Sequence, residues 1–196
     1  SMLGQPLLRV SNGTLKSQSI QQCMLPSQHA RWCTRLLKIK PFGQLAQEEQ
    51  PVVCYVGLRS DEESREGTRP GGDSAPIGSD VRQDFPFQRW NWGLIEVLEF
   101  LADRNIIIPQ RTDCARCPYQ TLGEWYNLYA NHPAIYADAE QQEDDTGHTF
   151  RSPTANLGPW PHDLKSLRKE FQKGRIPVRS LNMMEKRKNM CRACSL

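Results

Sequence analysis

The stretch "PVVCYVGL", residues 51–58, decides the fold class that this sequence predicts. It is continuously apolar and rich in β-branched valine, which is typical of a strand that is buried on both faces. Such strands belong to parallel sheets that helices cover on both sides. Cys54, inside the stretch, is then expected to be an inert thiol of the core.

Helical patterns flank this strand. Upstream, "HARWCTRLLKIK" (29–40) has helical spacing, and we expect Pro41 to limit how far that helix runs. Downstream, "WNWGLIEVLEFLADRN" (90–105) is amphipathic, with Asn105 as its C-cap. A further strand is predicted at "PLLRVS" (6–11). Strands with helices between and after them indicate an α/β fold.

Composition divides the chain into two parts. Residues 1–110 form the predicted α/β part, which includes a long loop at 59–85 rich in Gly, Pro, Ser, Asp and Arg. Residues 111–196 form a helical part that contains cysteine pairs. No apolar run is long enough to cross a membrane, and the N-terminus carries no signal-peptide pattern, so we expect a cytoplasmic protein.

The net charge of +3 is too small to argue for nucleic acid. Basic residues do cluster in "RWCTRLLKIK" (31–40) and "MEKRKNMCRAC" (184–194), and both clusters contain cysteine. Each cluster is either a solvated face or part of a site for an anion or a metal.

Seven cysteines exceed what packing requires, and two pairs have CxxC spacing, namely Cys114 with Cys117 and Cys191 with Cys194. The odd count and these spacings argue against a secreted disulfide framework. Two chelating pairs suit a tetrahedral zinc ion or an iron–sulfur cluster, and the thiolates by themselves do not distinguish the two metals. Redox or disulfide chemistry, or no role, are the alternatives.

Three segments in this order resemble the phosphoadenylyl-sulfate (PAPS) reductase family. They are "RWCTRLLKIKPF", "VVCYVGLRSDEESR" and "DCARCPYQTLGEWYNLYANHPAIYADAE". They look most like its branch of phage and DNA-phosphorothioation sulfur-transfer proteins, over roughly residues 5–145. The resemblance implies a partial adenine-nucleotide α-hydrolase-like fold, which is a doubly wound and mostly parallel sheet.

The resemblance also implies a four-iron four-sulfur cluster, with zinc as the alternative. Cys33, Cys114 and Cys117 fall on the family's cluster-ligand positions, and the fourth ligand is then Cys191 or Cys194.

Two cationic segments match the positions where the family binds phosphate or sulfate groups. The residues concerned are Arg35, Lys38, Lys40, Arg59, Glu62 and Arg65. Cations on a helix beside a thiolate centre attract anions and offset its charge. The last three residues follow the end of a strand, where α/β sheets bind ligands, although a surface cluster of salt bridges would have the same pattern.

One departure from the family pattern affects the predicted activity. Family enzymes begin with a strand and an SGGxDS loop that holds nucleotide phosphates, whereas this sequence starts at what resembles a later strand. "RPGGDSAP" (69–76) imitates the loop without an apolar strand before it. We therefore expect no turnover of adenylyl sulfate unless a partner protein supplies the loop.

Two other functions are compatible with the sequence. The chain could be a non-catalytic, metal-stabilised interaction module in a phage or mobile-element setting, acting in host defence or against it. A weaker alternative is a nucleic-acid binder that uses its basic faces, with Trp32, Trp90 and Trp92 as stacking surfaces.

Overall fold

The computed structural model describes residues 8–61, 80–107, 114–152 and 158–186. The chain divides into two compact units. The first unit comprises residues 1–15 and 32–107, and the second comprises residues 16–31 and 108–196.

Helices make up most of the regular structure in the described ranges. Their bounds are α1 Leu15–Gln22, α2 Trp32–Thr34, α3 Lys40–Glu48, α4 Pro86–Arg89, α5 Leu94–Asp103, α6 Leu122–Asn131, α7 Pro133–Thr146, α8 Leu164–Gln172 and α9 Val178–Lys186. A π-helical segment, Arg35–Ile39, joins α2 directly to α3.

Two short parallel strands form a sheet in the first unit. β1 (Val52–Tyr55) pairs with β2 (Val81–Asp84) in register, so that the first residues of the two strands are partners. Helices together with parallel strands are compatible with the α/β class. The prediction differs in its details, since β2 lies inside the segment predicted as a loop at 59–85, and residues 8–11 form no strand.

The prediction that β1 is buried on both faces was wrong. Cys54 points inward and is 8% exposed, as expected for a core thiol, whereas Val53 and Tyr55 are 42% and 72% exposed. Successive side chains of a strand point to opposite faces, so one face of β1 is covered within this unit and the other is open.

Pro41 does not limit the upstream helix, contrary to the prediction, since the helical stretch continues through α3 to Glu48. The N–H of Lys40 donates to the carbonyl of Arg35, five residues back, so the helix has adopted π spacing here. In that spacing the carbonyl of Leu36 would accept from residue 41, which as a proline has no N–H. The side chain of Asn12 donates to this carbonyl instead, at 3.0 Å.

Helix α5 ends near the predicted place, but its C-cap is Arg104, and Asn105 is the residue after the cap. Asn105 has a left-handed φ of 54°, and its N–H donates to the carbonyl of Ala102 at 2.9 Å. The N–H of Ile106 donates to the carbonyl of Leu101 at 3.0 Å, which completes a Schellman motif. Asparagine is suited to this position because it tolerates a positive φ better than most residues.

Helices α6, α7 and α8 enclose the hydrophobic core of the second unit. Its largest fully buried side chains include Trp125, Tyr136, Leu164 and Leu167. The rings of Trp125 and Tyr136 meet edge to face at 6.2 Å, and the Tyr136 hydroxyl donates to the carbonyl of Leu164 at 2.9 Å. This hydrogen bond fixes the start of α8 against α7.

Candidate functional site

Three cations project from one helical stretch of the first unit. Arg35 begins the π segment, Lys38 lies within it, and Lys40 begins α3. All three side chains are exposed, and no carboxylate among the residues that the structure describes lies within ion-pairing distance of them. Because a π turn aligns residues five apart, Arg35 and Lys40 lie on the same side of the helix. The stretch is therefore a cationic surface, with the half-buried Cys33 just before it in α2.

The end of strand β1 is organised around Asp61 rather than around an open anion cradle. The side chain of Arg59, 17% exposed, donates from Nε to Oδ1 of Asp61 at 2.8 Å. The other oxygen of Asp61 accepts the N–H of Leu94, the first residue of α5, at 3.1 Å. Hydrogen bonding to Arg59 lowers the pKa of Asp61. Arg59 thus lies at the predicted strand end, but its guanidinium already binds a carboxylate.

Glu62 and Arg65, the other two residues of the predicted strand-end motif, lie outside the described residues. The same is true of the segment 69–76 and of Cys191 and Cys194. Their predicted roles stay predictions.

The CxxC pair lies on a turn in the second unit, directly before α6. Cys114 is exposed and Cys117 is half-buried. The carbonyl of Cys117 accepts the N–H of Gln120 at 3.0 Å. Thr121 then caps α6, since its hydroxyl oxygen accepts the N–H of Glu124, and the Glu124 carboxylate in turn accepts the N–H of Thr121 at 2.7 Å. The turn is thereby held at a fixed helix start.

Three contacts tie this turn and Tyr119, just after it, to other parts of the second unit. Arg116, between the two cysteines, pairs with Asp138 on α7. Tyr119 donates from its hydroxyl to the carbonyl of Gln28 at 3.2 Å. The guanidinium of Arg31 lies 5.8 Å from the centre of the Tyr119 ring. The turn is therefore anchored through Arg116 and through Tyr119 just after it, while Cys114 stays exposed.

The thiols of the CxxC turn suit a metal chemically but are only part of a donor set. A structural zinc ion or a four-iron cluster takes four ligands, and the turn supplies two. Among the residues that the structure describes, no group of three or more His, Cys, Asp or Glu side chains could hold a metal ion. The predicted centre on Cys33, Cys114 and Cys117 with Cys191 or Cys194 stays a prediction.

The three tryptophans proposed as stacking surfaces differ in exposure. Trp32 is 5% exposed and belongs to the core, so its prediction as a stacking surface was wrong. Trp90 is 53% exposed and Trp92 is half-buried. The basic residues around Trp32 had indicated an exposed ring for base stacking. In the folded protein the Trp32 ring is instead covered by other side chains.

Sequence reasoning missed a buried carboxylate in the second unit. Glu143 on α7 accepts the N–H of Phe150 at 2.9 Å and the N–H of Leu164 at 2.7 Å. Burial raises the pKa of Glu143 to about 7 despite these two donors. The sequence pattern could have predicted this burial. Tyr136, Ala139 and Glu143 are spaced three and four residues apart, so Glu143 lies on the same face of the helix as two apolar residues.

Comparison with protein-family models, with curated proteins and with solved structures found no match to this chain. In the described residues, no helix is both long enough and apolar enough to span a membrane.

Proposed function

We propose that this chain is a PAPS reductase-like protein of sulfur metabolism, with a cysteine-ligated metal centre and a binding surface for the sulfate or phosphate groups of an adenylyl-sulfate-type ligand. The observation that carries the proposal is the helical stretch from α2 to α3. It places a half-buried thiol, Cys33, directly before three exposed cations that no described carboxylate neutralises. Thiolates and anionic ligands both favour a cationic surface of this kind.

The CxxC turn supplies two thiols of the proposed ligand set, one exposed and one half-buried. We propose Cys33, Cys114, Cys117 and one of the two C-terminal cysteines as ligands, with a four-iron four-sulfur cluster favoured over zinc. Bound there, a cluster would supply electron transfer, whereas zinc would supply structural stability.

The anion surface is tested by a ligand-induced shift in thermal stability. Adenylyl sulfate or inorganic sulfate at millimolar concentration should raise the Tm of the wild-type protein, because a ligand that binds only the folded state stabilises it. Lys38→Ala should reduce the shift by removing one of three cations. The matched control is Lys169→Ala, which removes an exposed lysine from α8 of the second unit. No shift in the wild type, or an equal shift in Lys38→Ala, would contradict the proposed surface.

The second candidate, an interaction module completed by a partner, is favoured by the open face of β1. Parallel sheets are normally covered on both faces, yet Val53 and Tyr55 are exposed here. A partner that packs on this face would also be able to supply a nucleotide-binding loop. We propose that these 196 residues by themselves do not turn over adenylyl sulfate.

An activity assay separates the two candidates. Reduced, metal-replete protein is incubated with adenylyl sulfate alone and then with a loop-bearing protein of the same family. Turnover by the chain alone that disappears in Cys114→Ser/Cys117→Ser would identify an enzyme. Turnover only after addition of the second protein would identify one half of a split site. Absence of turnover in both cases favours the interaction module.

A further inference from the structure

An aromatic pocket of about 390 Å³ lies in the first unit and has no part in the proposed thiolate and anion site. Its volume is within the range that small-molecule pockets of proteins occupy. Six apolar side chains line it, namely Phe87, Trp90, Trp92, Val97, Phe100 and Leu101.

The local backbone builds this pocket from a short sequence. The N–H of Trp90 donates to the carbonyl of Pro86 at 2.8 Å, and the N–H of Trp92 donates to the carbonyl of Phe87 at 2.7 Å. Between the two tryptophans, Asn91 has a left-handed φ of 54°. The chain therefore turns back sharply, and both tryptophans are brought to Phe87.

The ring geometry leaves aromatic faces and edges available to a planar ligand. Phe87 and Trp92 stack with an interplanar angle of 9° and centres 5.9 Å apart. Trp90 meets both of them edge-on, and Phe100 lies 5.3 Å from Trp92. Trp90 and Phe100 are 53% and 37% exposed, so the cluster is not closed by the rest of its unit. Stacking on such rings contributes binding energy beyond apolar burial.

Two arginines lie near the aromatic rings of the pocket, and their charges determine whether an anionic ligand is favoured over a neutral one. Arg89 is neutralised, because its Nη1 binds both carboxylate oxygens of Asp84, at 3.0 and 2.8 Å. The guanidinium of Arg104 instead lies 3.6 Å from the centre of the Phe100 ring. No carboxylate in the described part of the chain lies within ion-pairing distance of it. A positive charge is thus stacked on a ring that lines the pocket.

The acidic side chains of α5 lie on a different side of the helix. Val97, Phe100 and Leu101 share one stripe with Arg104, at spacings of three and four residues. A second stripe, roughly 100° around the helix, holds the acids Glu96, Glu99 and Asp103. The charged side chain that shares the stripe of Val97, Phe100 and Leu101 is therefore Arg104.

From this arrangement we propose that the pocket binds a planar aromatic molecule that carries an anionic group. The rings hold the planar part by stacking, and Arg104 donates to the anionic group. The site involves no cysteine and none of the cations of the α2–α3 stretch. The two sites are tested separately, because inorganic sulfate has no ring to stack in the pocket and its stability shift therefore reports on the α2–α3 stretch alone.

Calorimetric titration with a matched pair of compounds tests the proposal. The probes are 1-naphthalenesulfonate, which is anionic, and naphthalene-1-sulfonamide, which is neutral and of similar shape. The wild-type protein should bind the sulfonate more tightly than the sulfonamide. Arg104→Gln should weaken sulfonate binding about tenfold, as expected for loss of a charge-assisted hydrogen bond, and should change sulfonamide binding less than about twofold.

Two further variants control for general effects. Trp90→Ala should weaken both compounds, and Trp90→Tyr should restore part of the loss because a ring returns. Arg175→Gln should change neither, although Arg175 also stacks on an aromatic ring, that of Trp160, at 4.1 Å. Arg175 is paired with Glu170, and its ring partner does not line the aromatic pocket.

Three results would overturn the proposal. The first is that folded wild-type protein binds neither compound. The second is that Arg104→Gln and Arg175→Gln change sulfonate binding equally. The third is that the wild-type protein self-associates and Trp90→Ala abolishes this. Sedimentation velocity detects the last result, which would mean that a second copy of the chain covers the pocket.

Discussion

Glu143 is buried, although glutamate side chains are normally exposed to solvent. It is 7% exposed, and its two carboxylate oxygens accept backbone N–H groups from both ends of the connection between α7 and α8. Glu140, one turn earlier in α7, is 5% exposed and forms an ion pair with the Nε of Arg168 at 3.0 Å. Among the described residues, no such ion pair is formed by Glu143. Burial accordingly raises the pKa of Glu143 to about 7.

We predict that Glu143 makes the protein less stable as the pH rises. Its pKa is about 7 in the folded state and near 4.5 in the unfolded chain, so the folded state holds a proton in this window that the unfolded state releases. The stability from this group is fully present below pH 4.5 and is lost as the pH rises through about 7. The expected loss between pH 5 and 8 is about 2–3 kcal/mol. Denaturant unfolding at several pH values measures it.

Two variants isolate this effect from other titrating groups. Glu143→Gln cannot titrate and should flatten the pH dependence by that amount. Glu170→Gln should leave the dependence between pH 5 and 8 unchanged, because Lys173 and Arg175 lower the pKa of Glu170. An equally steep dependence in Glu143→Gln and in the wild type would mean that Glu143 is not the group responsible.

At the scale of elements, the contact between α6 and α9 depends on the absence of a side chain. Gly123 is buried near the start of α6, and its N–H donates to the hydroxyl of Ser180 on α9 at 2.8 Å. A Cβ at this position would lie 2.6 Å from the sulfur of Met184 and 3.1 Å from the backbone nitrogen of Leu181. The Met184 side chain can turn away, so the contact that a Cβ would strain is the one with the backbone of α9 at Leu181.

We predict that Gly123→Ala destabilises the second unit by about 1–3 kcal/mol, because α9 must move away from α6. In a helix without this contact the same substitution would stabilise by up to about 1 kcal/mol, so the sign of the change is informative. The matched control is Asn127→Ala on the exposed face of α6, which should be neutral or slightly stabilising. Thermal unfolding followed by circular dichroism provides the comparison. A stabilised Gly123→Ala would show that the close approach does not exist.

At the scale of the whole molecule, the cysteines differ in the environments that their units give them. Cys54 is enclosed in the core of the first unit. Cys114 and Cys117 lie on an accessible turn of the second unit, held by the Arg116–Asp138 pair and by the start of α6. Burial protects a structural thiol from reaction, whereas a thiol on an accessible turn is open to reaction.

We predict that metal-replete Cys117→Ser loses much more thermal stability than Cys54→Ser. Loss of a ligand forfeits the part of the folding free energy that metal binding contributes, which is several kcal/mol. A serine hydroxyl at position 54 costs only the burial of a polar group, about 1–3 kcal/mol. Purification without oxygen, metal analysis and thermal unfolding with and without a chelator test this. Near-stoichiometric iron is expected, and finding neither iron nor zinc, or equal losses in the two variants, would contradict the ligand set.

Local signals in the sequence determined several parts of this structure. The end of α5 at Asn105 and the strand at Val52 each depend on residues a few positions apart, so their spacing was sufficient to predict them. The enclosed thiol of Cys54 followed from the apolar strand around it. The sequence also shows directly which side chains the basic helix and the CxxC turn carry, and these side chains define the candidate sites.

Contacts distant in sequence decided the rest. β2 reads "VRQD", which has little apolar character, and it is a strand because β1 pairs with it. The helix passes Pro41 because Asn12, far upstream, satisfies the carbonyl that proline leaves unpaired. Glu143 and Trp32 are buried because other segments cover them. In each case the free energy comes from a partner that local spacing does not reveal, so only the tertiary structure determined the outcome.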